Sequence, residues 1–327
     1  MAKIDIDVPV VVSPMRQDGS RTEERDTVSP ITSVARCVLV HRGGESFRRA
    51  LLSWRDGGLL ERGTTYIFFQ ERNEDHGGDS RIAILDALLS KDTRNRTIVL
   101  GSPNQVGIAS AFVSLIRAAA RDGHDAVLFL EEDFRVSTRV TDPEARVGAA
   151  IRLINANLVD VVRLRSREDA GDPDCYRVLF ESTLAALPEE AHLSASTWLR
   201  DPAVSLSAGS VRRCDDGDDD ALCADARFAE WSNNPFLARV DFLVRRVVPV
   251  AEADADVFGS LANVETPMRR VPELWTSRRY RVAQTDGLFT HEDSDKPLEA
   301  QSWPCGAILV ERRRASGHEE YGREATR

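Results

Sequence analysis

Two hydrophobic periods alternate along this chain. Val34 to His41 (VARCVLVH) is a near-continuous apolar run, as a strand buried on both faces requires, and Gly43 and Gly44 then turn the chain. From Glu45 to Arg55, Phe47, Ala50, Leu51 and Trp54 recur at helical spacing. Thr64 to Phe69 (TTYIFF) predicts a second strand ending at Gln70, Glu71 and Arg72, followed by a helix over about Ser80 to Ser90. The stretch Thr97 to Phe134 then reads as strand, polar turn, amphipathic helix (about Val106 to Arg121) and a second strand, Ala126 to Leu130, that delivers Glu131, Glu132 and Asp133 at its carboxyl end. The succession predicts an α/β doubly wound domain, a mostly parallel sheet with helices on both faces.

Beyond Phe134 the pattern loosens. Asp142 to Asn157 is helical, with Pro143 suited to a first turn, and Leu158 to Leu164 is a valine-rich strand that leads into Arg163, Arg165 and Arg167. Glu168 to Asp225 is irregular and holds an acidic loop, Asp215, Asp216, Asp218, Asp219 and Asp220, read as solvated. Trp231 to Leu243 (WSNNPFLARVDFL) is a turn feeding an apolar segment, since Asn233 and Asn234 precede Pro235. Thr266 as cap and Pro267 in the first turn predict a helix to about Arg279. Gly287 to His291 (GLFTH) is a short strand ending in histidine, Gly306 to Val310 a last strand, and Arg312 to Arg327 a disordered tail. Residues 1–33 form a polar arm, leaving 34–311 as a single domain.

Composition narrows the classes. A formal net charge of -10 argues against a general nucleic-acid binder, whose affinity depends on an excess of Lys and Arg. No run of about 20 apolar residues occurs, so a soluble, cytoplasmic protein without a membrane span is expected. Cys37, Cys175, Cys214, Cys223 and Cys305 are odd in number and lack CxxC spacing, and we read them as reduced thiols without zinc. Neither GxxxxGK[ST] nor GxGxxG is present, and no GxSxG elbow supports serine hydrolysis.

A diphosphate can be held by a glycine-rich nest or by a divalent metal, and without the first the three acids point to the second. VLFLEEDF (Val127 to Phe134), WSNNPF (Trp231 to Phe236) and GLFTH, in that order, resemble the GT-A glycosyltransferases that use nucleotide sugars. With Glu131 in the first place of the acidic triplet, the chain is closer to the EDD form of the N-acetylglucosaminyltransferase I-like branch than to a strict DxD. The resemblance implies a nucleotide-sugar half, 34–167, and an acceptor half with irregular insertions, 168–311. It implies Asp133 and His291 as ligands of Mn²⁺ or Mg²⁺, with Glu131 or Glu132 reaching the metal through water or touching the donor. His41, Arg42, Gly43, Gln70, Glu71 and Arg72 are candidates for a UDP- or GDP-sugar, with Asn104 beside Gly107, whose missing β-carbon permits close approach, and with Arg163 or Arg165 on the leaving diphosphate. Glu265 is the candidate base of an inverting transfer, with Asp254 and Asp256 as rivals. Trp231, Asn233 and Asn234 would form a wall for a glycan or other hydroxyl acceptor. A sugar-1-phosphate nucleotidyltransferase and a non-catalytic binding module are the alternatives.

Overall fold

The computed structural model of the protein describes residues 29–41, 43–70, 78–102, 104–166, 211–214, 221–227, 229, 231–271 and 273–292. The chain divides into two units, Met1–Pro30, of which only Ser29 and Pro30 are described, and Ile31–Arg327. The expectations for the arm up to Val28, Arg42, Glu71, Arg72, Arg167, the acidic loop, the Gly306 to Val310 strand and the tail lie outside the described residues, while the end of the arm is fixed, with Ile31 buried and Thr32 and Ser33 bonded to Asp125.

The second unit is α/β, its described residues built on one ten-stranded sheet. Its strands are β1 (Val34–Val40), β2 (Thr65–Phe69), β3 (Thr97–Gly101), β4 (Ala126–Glu131), β5 (Phe134–Val136), β6 (Val161–Arg165), β7 (Arg212–Arg213), β8 (Leu222–Asp225), β9 (Phe236–Arg239) and β10 (Arg281–His291). They run in the order β3-β2-β1-β4-β9-β6-β10-β8-β7, with β5 on β10. β1 to β4, β6 and β10 run the same way, and β9 enters antiparallel between β4 and β6. Central strands have both faces covered, which is why β1, β2 and β4 read as unbroken apolar runs.

On one face lies α4 (Gly107–Arg121), packed on β1 and β2 in a cluster with Cys37, Leu39, Tyr66, Phe68, Val127 and Phe129, and α6 (Val248–Phe258) packs on α4. On the other lie α1 (Gly44–Asp56) and α5 (Pro143–Asn155), which share a cluster with Val38, Val40, Ile67, Leu128 and Leu130, α5 packing on β6, β9 and β10. Short helices α2 (Gly78–Leu88) and α3 (Lys91–Asn95) connect β2 to β3. The caps follow the sequence: Asp142 accepts from Ala145 N at 2.9 Å with Pro143 next to it, and Ser90 accepts from Thr93 N.

Four expectations need correction. The segment after Trp231 is β9 followed by a helix that opens at Val240–Phe242, widens into a π turn at Leu243–Val247 and continues as α6. The helix expected from Thr266 to Arg279 is α7, Glu265–Arg270, without a side-chain cap. Pro272 ends it by forcing Val271 into extended backbone, with φ -114° and ψ 97°. Arg281 to His291 is one strand, broken in register between Gln284 and Phe289. Cys214 and Cys223 are joined by a disulfide across β7 and β8, where reduced thiols were expected; Cys37 is a buried free thiol.

Candidate active site

The carboxyl ends of β1, β4, β6 and β10 meet at one edge of the sheet, and the three consecutive acids there face three different neighbours. Strand alternation puts Glu131 on the face of Val127 and Phe129. Burial raises its proton affinity well above the usual carboxylate range, and the charges of Asp133, Glu265 and Glu132 add to that. Glu132 is buried and turned toward the exit of β1: its N–H donates to Leu39 O and its Oε2 accepts from Gly43 N at 2.6 Å. Asp133 Oδ2 lies 3.0 Å from His291 Nε2, and Asp133 Oδ1 is buried without a hydrogen-bond partner among the described residues.

His291 reaches Asp133 across 158 positions because β5 pairs antiparallel with β10, setting His291 opposite Phe134. The imidazole stands edge-on to the Phe134 ring, with centroids 5.0 Å apart, and the Glu292 N–H donates to Asp133 O. Gly287 makes this approach possible. A Cβ there would lie 2.2 Å from Ser166 Cα, and its φ of +93° suits glycine, so β10 can press against the end of β6 and still carry His291 to the edge. The buried Arg165 guanidinium lies 5.7 Å from the centre of the Phe134 ring and donates to Asn234 Oδ1 at 3.5 Å.

Glu265 approaches from α7. Its Oε1 accepts from Asn233 N at 2.6 Å and Ser232 Oγ at 3.0 Å, and its own N–H donates to Asn263 Oδ1. Asp254 is a structural tie, accepting from Asn263 N at 2.8 Å, and Asp256 lies exposed on α6. Trp231 corrects an expectation: its indole is buried against Phe112, Phe236 and Trp275, with Nε1 donating to Asn233 Oδ1. No face is left for a sugar ring, so Trp231 supports the Asn233 turn from below. Gly107 is a second correction, since the close approach it permits is that of Ser260 O, which a Cβ would meet at 2.8 Å.

The remaining candidates are spread out. Gln70, at the end of β2 on the α4 face, is fully buried with both amide atoms unpartnered among the described residues. His41 and Asn104 are exposed, and Asn104 makes only a local turn through Ser102. Arg163 is buried beside β9 and β10. The sequence reading missed Ser232, Asn263 and Glu292. Glu292 binds Ser46 and Arg49 of α1, and no local pattern announces a side chain whose partners lie near the other end of the chain.

Among the described residues no group of three or more His, Cys, Asp or Glu converges as a ready cation cage. The Asp133–His291 pair nevertheless fits a divalent ion that draws its other ligands from a phosphate and water. Two donors each about 2.1 Å from one octahedral cation stand roughly 3 Å apart, and Asp133 Oδ1 is a buried acceptor with no hydrogen-bond donor among the described residues.

No protein-family model matches the sequence, and no curated protein matches it. Among solved structures, the chain is similar to the mannose-1-phosphate geranyltransferase of Thermus thermophilus, at 15% identity and a TM-score of 0.38 over 80% of this chain and 76% of that one. It is also similar to TarS of S. aureus, at 10% identity and a TM-score of 0.39 over 89% of this chain and 44% of that one, and so spans less than half the length of TarS. Among the described residues no helix is long and apolar enough to cross a membrane.

Proposed function

We propose that the protein is a metal-dependent glycosyltransferase of the GT-A kind, moving a sugar from a nucleoside diphosphate to a hydroxyl acceptor with inversion. The observation that carries this reading is the Asp133–His291 pair, a carboxylate with one orphaned oxygen and an imidazole at the carboxyl edge of the sheet. These two side chains would hold Mn²⁺ or Mg²⁺. When bound, such an ion neutralises charge on the departing diphosphate.

The other roles belong to the protein. Arg165 adds positive charge from beside Phe134, and the Gln70 amide, without a partner among the described residues, gains donor and acceptor bonds from the nucleotide. Glu265 takes the proton of the acceptor hydroxyl as its oxygen attacks the anomeric carbon and the bond from that carbon to the diphosphate oxygen breaks. Ser232 and the Asn233 N–H fix the direction of that carboxylate. Asp254 is already committed to Asn263 and Asp256 faces solvent, which favours Glu265 over both.

The test is thermal unfolding with Mn²⁺ and a panel of nucleotide sugars, followed by assay for released nucleoside diphosphate. Metal-dependent stabilisation by at least one donor is expected, and its loss in Asp133→Ala and His291→Ala while the apo unfolding temperature holds. Absence of stabilisation by every donor tried would sink the reading. Release of pyrophosphate from a nucleoside triphosphate and a sugar 1-phosphate would replace glycosyl by nucleotidyl transfer.

A further inference from the structure

The opposite edge of the sheet holds a second concentration of charge, of the other sign. Arg36, third residue of β1, is 5% exposed. Its Nη2 meets Glu144 Oε1 at 3.3 Å and its Nη1 donates to Val34 O at 3.3 Å, but its Nε is buried without a partner. The loop before β2 reaches this guanidinium with bare backbone: a Cβ at Gly63 would lie 2.7 Å from Arg36 Nη1, and its φ is +71°. The backbones of Arg62, next to Gly63, and Arg96, whose carbonyl accepts from Thr65 N, flank Arg36, and among the described residues Glu144 is the one carboxylate bearing on it. Register agrees, because Arg36 faces Thr65 across the ladder and Thr65 N donates to Arg96 O. Among the described residues the side chains of Arg62 and Arg96 make no hydrogen bond or ion pair.

Three guanidiniums against one carboxylate leave two positive charges unmatched, on a chain whose formal net charge is -10. Burial already works against the charge on Arg36, and the neighbouring arginines add to that cost, which a bound dianion would offset. A guanidinium presents its donors as a planar fork that matches phosphate and carboxylate oxygens. We propose that Arg36, Arg62 and Arg96 form a binding site for a small phosphate-type oxyanion at the amino-terminal edge of β1–β3. The site lies about four residues, roughly 13 Å, along β1 from its carboxyl end and is separate from the proposed donor site. Its ligand is a free phosphate ion or the terminal phosphate of a monoester.

The experiment titrates inorganic phosphate, and separately glycerol phosphate, into the full chain without divalent metal at constant ionic strength, read by calorimetry and thermal unfolding. Saturable binding is expected, with affinity falling tenfold or more in Arg62→Gln/Arg96→Gln, whose exposed positions keep the apo unfolding temperature unchanged. Asp133→Ala, which abolishes the proposed metal site, is expected to bind phosphate as the parent does. Binding of the ester alone would identify the monoester as ligand within the same site. Equal affinity in the double variant, loss of binding in Asp133→Ala, or no saturable binding of either probe would overturn the proposal. Arg36→Met provides a further measure of the buried donor.

Discussion

Glu131, Glu132 and Asp133 are neighbours in the chain with separable tasks, and substitution tests each alone. Glu132→Gln keeps the shape but takes the charge from the bond to Gly43 N, and a cost of about 1–2 kcal/mol in unfolding free energy is expected in denaturant melts. Glu265→Gln should retain donor binding and lose transfer by roughly 10²- to 10⁴-fold; unaltered turnover would exclude Glu265 as base. Gly287→Ala places a methyl group inside the backbone of Ser166 at a φ of +93°, so a loss of about 3 kcal/mol or more is expected, seen as a lowered melting temperature or failure to fold. At this scale the sequence was most informative for the EED triplet and the late histidine, which the structure brings together at Asp133 and His291. It was least informative for Trp231, because an indole beside two asparagines has the same composition whether its faces meet a ligand or Phe112 and Trp275.

Elements add constraints that single residues do not show. Asp125, just before β4, accepts at Oδ2 from the N–H and hydroxyl groups of both Thr32 and Ser33. These bonds, led by the Thr32 N–H, hold its proton affinity down to about 2, against 3.8 for an ordinary aspartate. A depressed carboxylate stabilises the fold above its unfolded value and stops doing so as pH falls through the folded one. Stability is therefore expected to drop by about 1–2 kcal/mol between pH 4 and pH 2, and Asp125→Asn should flatten that part of the curve in pH-dependent melts. The Cys214–Cys223 bridge closes a loop with a separation of 9 residues, for which chain entropy gives about 2–3 kcal/mol. Reduction or Cys223→Ala should lower the unfolding midpoint accordingly. Most elements up to β6 follow directly from apolar period and turn residues. The helix after β9 escaped because β9 and its first turns share one apolar run, FLARVDFLVRRV, in which no break marks the change of period.

For the whole molecule, two layers of helices on a largely parallel sheet were legible from the alternation of strand and helix, whereas strand order was not. Nothing local in Phe236–Arg239 says that it belongs between β4 and β6, a position decided by the stacking of Phe236 on Phe129 and by ladders on both sides. The insertion of β9 bears on how the chain reaches its native state. Both β4 and β6 are synthesised well before the strand that joins them, so two apolar edges wait for a late partner that is distant in sequence. Refolding is expected to show a slow phase reported by Trp231, whose indole is enclosed only when Phe236 docks. A fragment ending before Phe236 should aggregate where the full chain refolds, because the edges of β4 and β6 then have only each other's copies to pair with.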